Sequence, residues 1–100
     1  GPSTIYNPAL KNDEENIKFC TDIGSKPWFA LSTWLKERDF LTGKARSQCV
    51  NMGRALLRQE KGGEGPSAIL SKACVKILEE AGVRGWSHEA NIVEVSARNH

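Results

Sequence analysis

Basic side chains alternate with hydrogen-bonding side chains along the segment that follows Leu41. We call this set the basic stripe, and its members are Lys44, Arg46, Ser47, Gln48, Asn51, Arg54 and Arg58. Arginine and lysine neutralise phosphate charge, while serine, asparagine and glutamine donate hydrogen bonds that fix the register of a bound strand. The residue types of the basic stripe therefore predict contact with the phosphate backbone of a nucleic acid.

The spacing of the basic stripe is helical. Lys44, Ser47, Asn51, Arg54 and Arg58 stand at i, i+3, i+7, i+10 and i+14, which places them on one face of a helix. Apolar side chains occupy the opposite face, at Ala45, Cys49, Met52 and Leu56. Because every amphipathic helix has a polar face, this pattern also fits a helix that only keeps one side in water.

The positive charge of the chain is concentrated around this helix. Residues 36–61 hold seven Lys or Arg against three Asp or Glu, whereas the segments before and after each carry one more acid than base. The net charge of the whole chain is only +2, so the binding of a polyanion should be weak and sensitive to salt.

Catalytic motifs are not evident in the sequence. A phosphate loop needs a glycine five residues before its Gly-Lys pair and a hydroxyl residue after it, but Arg38 and Ala45 hold those positions. His88 is followed by Glu89 without an evident partner nucleophile. We expect no enzyme activity from the isolated domain and no cofactor.

The chain has three cysteines, and each falls on the apolar face of a predicted helix. They are Cys20, Cys49 and Cys74. Zinc ligands cluster at short spacings, which this chain lacks. We therefore expect buried free thiols, no metal and a reducing, cytoplasmic location.

Four helices should position these residues. Asn12 and Glu15 form a capping box for a first helix that Gly24 ends, and Pro27 fits the first turn of a second helix. Thr42 and Ser67 are suitable N-caps for a third and a fourth helix, separated by a glycine-rich loop at 61–66.

The ends of the predicted bundle are less regular. Gly82 is expected to end the fourth helix in the left-handed conformation, with Val83 and Trp86 folding back onto the bundle. The segment from Ser87 to the end alternates like a strand near Val93 and Val95, but a short fifth helix is preferred.

The expected core of the bundle comes from its helical stripes. We expect seven side chains to be largely buried: Trp28, Leu31, Leu35, Met52, Leu56, Leu70 and Ile77. Phe29 and Trp34 share a helix with two of these leucines, so they are also predicted to be core rather than a platform for stacked bases.

The fold class predicted is all-α, a small bundle of four or five short helices, with a helix-turn-helix variant as an alternative. A chain of 100 residues with 39% hydrophobic and 26% charged residues fits one globular domain, and no apolar run is long enough for a membrane span. Residues 1–3 resemble a tag remnant, so residues 4–100 are interpreted as one helical domain excised from a larger protein.

Two functions fit this reading. The favoured one is a non-catalytic accessory module that contacts DNA or RNA weakly through the basic face of helix 43–59. The alternative is a protein–protein interaction or adaptor domain, in which the acidic turn at 13–15 and the pair Glu79 and Glu80 meet a basic patch on another chain.

Overall fold

The computed structural model describes residues 12–88, which form a small all-α bundle, as the sequence predicts. Its helices are α1 (Asp13–Ile23), α2 (Ser25–Glu37), α3 (Gly43–Glu60) and α4 (Ala68–Val83). The most extensive contact is between α2 and α3, while α4 packs against both α1 and α3. The bundle therefore pairs α1 with α4 and α2 with α3 around one core.

The three side-chain caps predicted from the sequence are present. Asn12 Oδ1 accepts a hydrogen bond from the backbone N–H of Glu15 at 2.8 Å, and Glu15 returns the capping-box contact. The hydroxyl of Thr42 caps α3 at 3.2 Å and that of Ser67 caps α4 at 3.1 Å. Each cap satisfies an N–H group that has no partner within its helix, which fixes where the helix begins.

Gly24 alone separates α1 from α2. Its φ of 89° and ψ of 164° fall in a region that is essentially restricted to glycine, so the chain can reverse there within one residue. The indole Nε1 of Trp28 donates to the carbonyl oxygen of Cys20 at 3.1 Å across the break. This bond fixes α2 relative to α1.

The end of α4 differs from the prediction. Gly82 does not take the left-handed conformation, because α4 continues through it to Val83 and Gly85 supplies the positive φ of 97° instead. Val83 is 84% exposed, so its predicted return to the bundle is wrong. Trp86 does fold back and is buried, as predicted.

Six of the seven predicted core side chains are buried, and the seventh is not. Leu70 is only half-buried and packs against the margin of the core. The buried positions of α4 include Ser71 and Val75, which the apolar pattern did not single out. The hydroxyl of Ser71 donates to the carbonyl oxygen of Ser67 at 2.8 Å, which satisfies it inside the core.

The aromatic residues of α2 are not equivalent. Trp28 is completely buried, as predicted. Phe29 and Trp34 are only half-buried, so their assignment to the core holds only in part. They lie on the two flanks of α2 because the helix presents one narrow face to the interior.

The three thiols are free and buried, as the sequence predicts. Burial raises the pKa of Cys20 from 9.0 to about 12. A hydrogen bond with Cys49 and burial together raise the pKa of Cys74 far above its ordinary value. The thiols of Cys20 and Cys74 therefore stay protonated, and all three cysteines pack as small apolar groups. Across residues 12–88, no group of three or more His, Cys, Asp or Glu side chains is arranged to hold a metal ion.

Several expectations concern segments outside the described residues. They are the tag remnant at residues 1–3 and the short helix expected in the tail, whose residues from 89 onward are not described. None of the helices within residues 12–88 has both the length and the apolar character needed to cross a membrane.

Candidate nucleic-acid interface

The relative position of α2 and α3 is set by a close contact at Gly53. A Cβ atom at this position would lie 2.6 Å from Cζ of Phe29, so the ring of Phe29 rests directly on the backbone of α3. Only glycine permits this approach without movement of the ring. The contact brings the polar flank of α2 beside the first half of α3.

A groove of about 560 Å³ opens between these two helices. We call it the α2–α3 groove, and it is lined by Ser32, Lys36, Gly43, Arg46, Ser47, Val50, Asn51 and Arg54. Three of these side chains are cationic, and no carboxylate from the described residues lines the groove. Its surface is therefore positive and carries hydrogen-bond donors.

A hydrogen bond between α2 and α3 holds one wall of the groove in place. The hydroxyl of Ser32 donates to the carbonyl oxygen of Arg46 at 3.1 Å. Because this hydroxyl hydrogen is engaged, Ser32 positions α3 and leaves the donation of hydrogen bonds to its neighbours.

The guanidinium of Arg46 turns back over the first turn of α3. Its Nη2 atom lies 3.4 Å from the place that a Cβ on Gly43 would occupy. This turn of α3 contains no acidic residue, so the partial positive charge of the helix N-terminus adds to that of the guanidinium.

The structure divides the predicted basic stripe into two groups. Four of its residues line the α2–α3 groove: Arg46, Ser47, Asn51 and Arg54. Lys44 is exposed outside the groove. Gln48 is half-buried, and its backbone carbonyl oxygen accepts a hydrogen bond from the thiol of Cys74 at 3.5 Å. The stripe is therefore one continuous surface only at its centre.

Arg58 lies at the far end of α3, in a different hollow. It lines that hollow with residues of the glycine-rich loop, among them Glu64 and Pro66. Its backbone carbonyl accepts hydrogen bonds from the N–H groups of Lys61 and Gly63 at 3.1 and 2.8 Å. Arg58 can extend a contact made in the groove, but it is not part of the groove.

Sequence reasoning missed the contribution of α2, which consists of Ser32 and Lys36. The two residues stand at i and i+4 and share one side of the helix. That spacing marks a polar flank, but α2 has two flanks, and the sequence does not say which one meets α3. The close contact of Phe29 with Gly53 determines it.

Comparison of this chain with protein families, with curated proteins and with solved structures finds no match.

Proposed function

We propose that this domain is a non-catalytic binding module that contacts the phosphate backbone of a nucleic acid through the α2–α3 groove. The observation that carries the proposal is the convergence of Lys36, Arg46 and Arg54, from two helices, on a groove that no described carboxylate lines. A solvent-exposed face accounts for the cations of a single helix, whereas here cations of two helices line the same hollow.

The chemistry of the groove suits phosphate oxygens. Arginine offers a planar fork of donors that matches phosphate, and lysine adds a compact charge. The exposed side chains of Ser47 and Asn51 stand between the cations and can donate to the same strand. These contacts recognise the backbone and carry no base sequence, so we expect binding with little sequence preference.

The length of α3 sets the extent of the contact. Lys44 and Arg58 are fourteen residues apart, which corresponds to about 21 Å at the helical rise. A strand that follows the groove would meet its three cations first and these two flanking cations at its ends. In a helix-turn-helix variant of this proposal, α3 would be the helix that lies on the nucleic acid.

The expected affinity is modest. Three to five neutralised phosphates give a slope of log affinity on log salt concentration of about −2.7 to −4.5 on duplex DNA, and a free domain of this kind should bind in the micromolar range or weaker. A second binding site linked to this one would raise the affinity, since linked sites reinforce each other.

Charge reversal tests the proposal. Lys36→Glu combined with Arg54→Glu changes two exposed residues on two helices, so it should abolish binding to a labelled duplex or single strand and leave the fold intact. The matched control is Lys72→Glu with Lys76→Glu, which makes the same charge change at exposed positions of α4. Fluorescence anisotropy at low salt and circular dichroism provide the two readouts.

The outcomes separate the groove from general charge. If both double variants weaken binding equally, net charge alone drives it and the groove has no special role. If the unchanged protein binds neither duplex nor single strands at about 50 mM salt, where phosphate contacts are strong, the proposal is wrong.

A second candidate function is a protein-interaction module, and it is favoured by apolar side chains on α4. Ile69 and Val83 are 85% and 84% exposed, and Glu79 and Glu80 are exposed on the same helix. A partner of this surface should survive nuclease treatment in a pull-down from a cell lysate, whereas a complex mediated by nucleic acid should not. The free buried thiols favour a cytoplasmic setting for either function.

A further inference from the structure

Two aromatic rings and two guanidinium groups form a cluster where α2 ends. We call it the arginine–aromatic cluster, and it consists of Trp34, Arg38, Asp39, Phe40 and Arg84. The guanidinium carbon of Arg38 lies 4.7 Å from the ring centre of Trp34, and that of Arg84 lies 4.3 Å from the ring centre of Phe40. The two rings meet edge to face with their centres 6.1 Å apart.

Backbone hydrogen bonds fix the chain at the ends of α2 and α4, where these side chains are attached. The N–H groups of Asp39 and Phe40 donate to carbonyl oxygens of α2, and Asp39 takes a φ of 49° that turns the chain sharply. Arg84 follows α4 directly, in a turn fixed by the bond from the N–H of Trp86 to the carbonyl oxygen of Ala81 at 3.1 Å. The two guanidinium groups therefore come from separate helices and converge on one hollow.

The arginine–aromatic cluster is separate from the α2–α3 groove. On α2, Trp34 lies roughly 200° around the axis from Ser32, and Arg38 lies roughly 200° from Lys36. The two sites therefore occupy opposite flanks of the helix, and one ligand in the groove does not cover the other flank.

The position of each guanidinium group over an aromatic ring bears on what it can bind. When the face of a guanidinium rests on a ring, its N–H groups point outward along the edge and can form two parallel bonds to an oxyanion. Arg38 makes one ion pair, with Glu37 at 4.0 Å, and both side chains of this pair are more than half exposed. Such an exposed ion pair contributes little to stability, so a ligand can displace Glu37 from Arg38.

Asp39 restricts the ligand further. Asp39 lines the same hollow, so an acidic residue stands beside the two guanidinium groups, and Glu37 adjoins the site through its weak pair with Arg38. A second anion beside the first would be repelled by Asp39, whereas an N–H donor beside the first anion would be attracted. The α2–α3 groove shows the opposite pattern, because no described carboxylate lines it.

We propose that the arginine–aromatic cluster binds a single carboxylate side chain from an acidic segment of a partner protein. Arg38 and Arg84 receive the carboxylate, and Asp39 accepts a backbone N–H of the same segment. A peptide provides both groups within a few ångströms, since each of its residues after the first other than proline carries an N–H. A sugar–phosphate backbone provides repeated anions and no such N–H.

A peptide titration followed by nuclear magnetic resonance tests this inference. The probe is a blocked peptide of alanine and glycine with one central glutamate, and its counterpart with glutamine is the control. The glutamate peptide should shift the indole N–H signal of Trp34 and the Nε–H signals of Arg38 and Arg84 in a saturable way. The glutamine peptide should leave these signals in place.

Variants separate the fork geometry from charge. Arg38→Lys with Arg84→Lys keeps the charge but loses the paired donors, and it should weaken peptide binding at least about fivefold. Asp39→Asn keeps a residue that tolerates positive φ, and it should weaken peptide binding while allowing inorganic phosphate to shift the Trp34 signal. Lys36→Glu with Arg54→Glu, in the groove, should leave peptide binding unchanged.

Three outcomes would overturn the inference. They are equal shifts with the glutamate and glutamine peptides, no saturable shift with either peptide, and a stronger response of the Trp34 signal to DNA than to the glutamate peptide. The first two results do not depend on whether the α2–α3 groove binds nucleic acid, and the third reports DNA at Trp34 and not in the groove.

Discussion

The contact between Gly53 and Phe29 determines the α2–α3 groove, and Gly53→Ala tests it directly. A Cβ at position 53 would lie 2.6, 2.7 and 2.9 Å from the Cζ, Cε1 and Cε2 atoms of Phe29. Carbon atoms in good contact lie about 3.5 to 4.0 Å apart, so the added methyl group must push the ring by about 1 Å.

Two effects of opposite sign decide the magnitude. Alanine is favoured over glycine within a helix by about 1 kcal/mol, whereas overpacking a filled contact costs about 1 to 3 kcal/mol. Because three ring atoms are too close at once, we expect the clash to exceed the gain. Gly53→Ala should therefore lower the free energy of unfolding by up to about 2 kcal/mol.

The assay is urea unfolding followed by circular dichroism, with Gly82→Ala as the matched control. Gly82 also lies within a helix, but a Cβ there would meet nothing within 4 Å. This control should be neutral or stabilising by up to about 1 kcal/mol. A double variant with Phe29→Ala should show a coupling of about 1 kcal/mol or more, since the ring is the cause of the clash. If Gly53→Ala stabilises the protein as Gly82→Ala does, the ring does not rest on α3.

Three further predictions concern the core and the thiols. Leu56→Ala should lower the free energy of unfolding by about 2 to 5 kcal/mol, since Leu56 is only 3% exposed. The control Leu57→Ala removes a side chain that is 39% exposed and should cost less than about 1 kcal/mol. Urea unfolding distinguishes the two variants. Because burial raises the pKa of Cys20 to about 12, this thiol stays neutral in the folded protein at a pH where it ionises in the unfolded chain. The contribution of Cys20 to stability should therefore be full below about pH 9 and should be lost between about pH 9 and 12. Urea midpoints measured across this range should fall less steeply for Cys20→Ala. Circular dichroism in chelator and reductant should remain strongly helical, and loss of the signal would refute a fold that needs neither metal nor disulfides.

Local features of the fold could be predicted from the sequence because each depends on neighbouring residues. The caps at Asn12, Thr42 and Ser67 act within three residues, so residue type and spacing are sufficient to place them. The end of α4 was less predictable, because both Gly82 and Gly85 follow the last apolar positions. The fold uses Gly85, which allows Trp86 to reach the core.

The two proposed binding surfaces could be predicted only in part, because they depend on contacts between helices. The polar face of α3 is visible in its own periodicity, and Ser47, Asn51 and Arg54 follow from it, with Arg46 at its border. The participation of Lys36 depends on which flank of α2 meets α3, and this is decided by the fit of one ring against one glycine. Likewise, Arg84 is fifty residues from Trp34 in the sequence, so no local pattern joins them.

The central claim is that the α2–α3 groove is the surface that contacts nucleic acid. A titration of the isotope-labelled domain with a short DNA duplex, followed by nuclear magnetic resonance, tests it most directly. We predict that the largest shifts fall on Lys36, Arg46, Asn51 and Arg54, and that they decrease as salt is added. Shifts that concentrate on α4, around Lys72 and Lys76, or that spread evenly over the cations of the surface would contradict the claim.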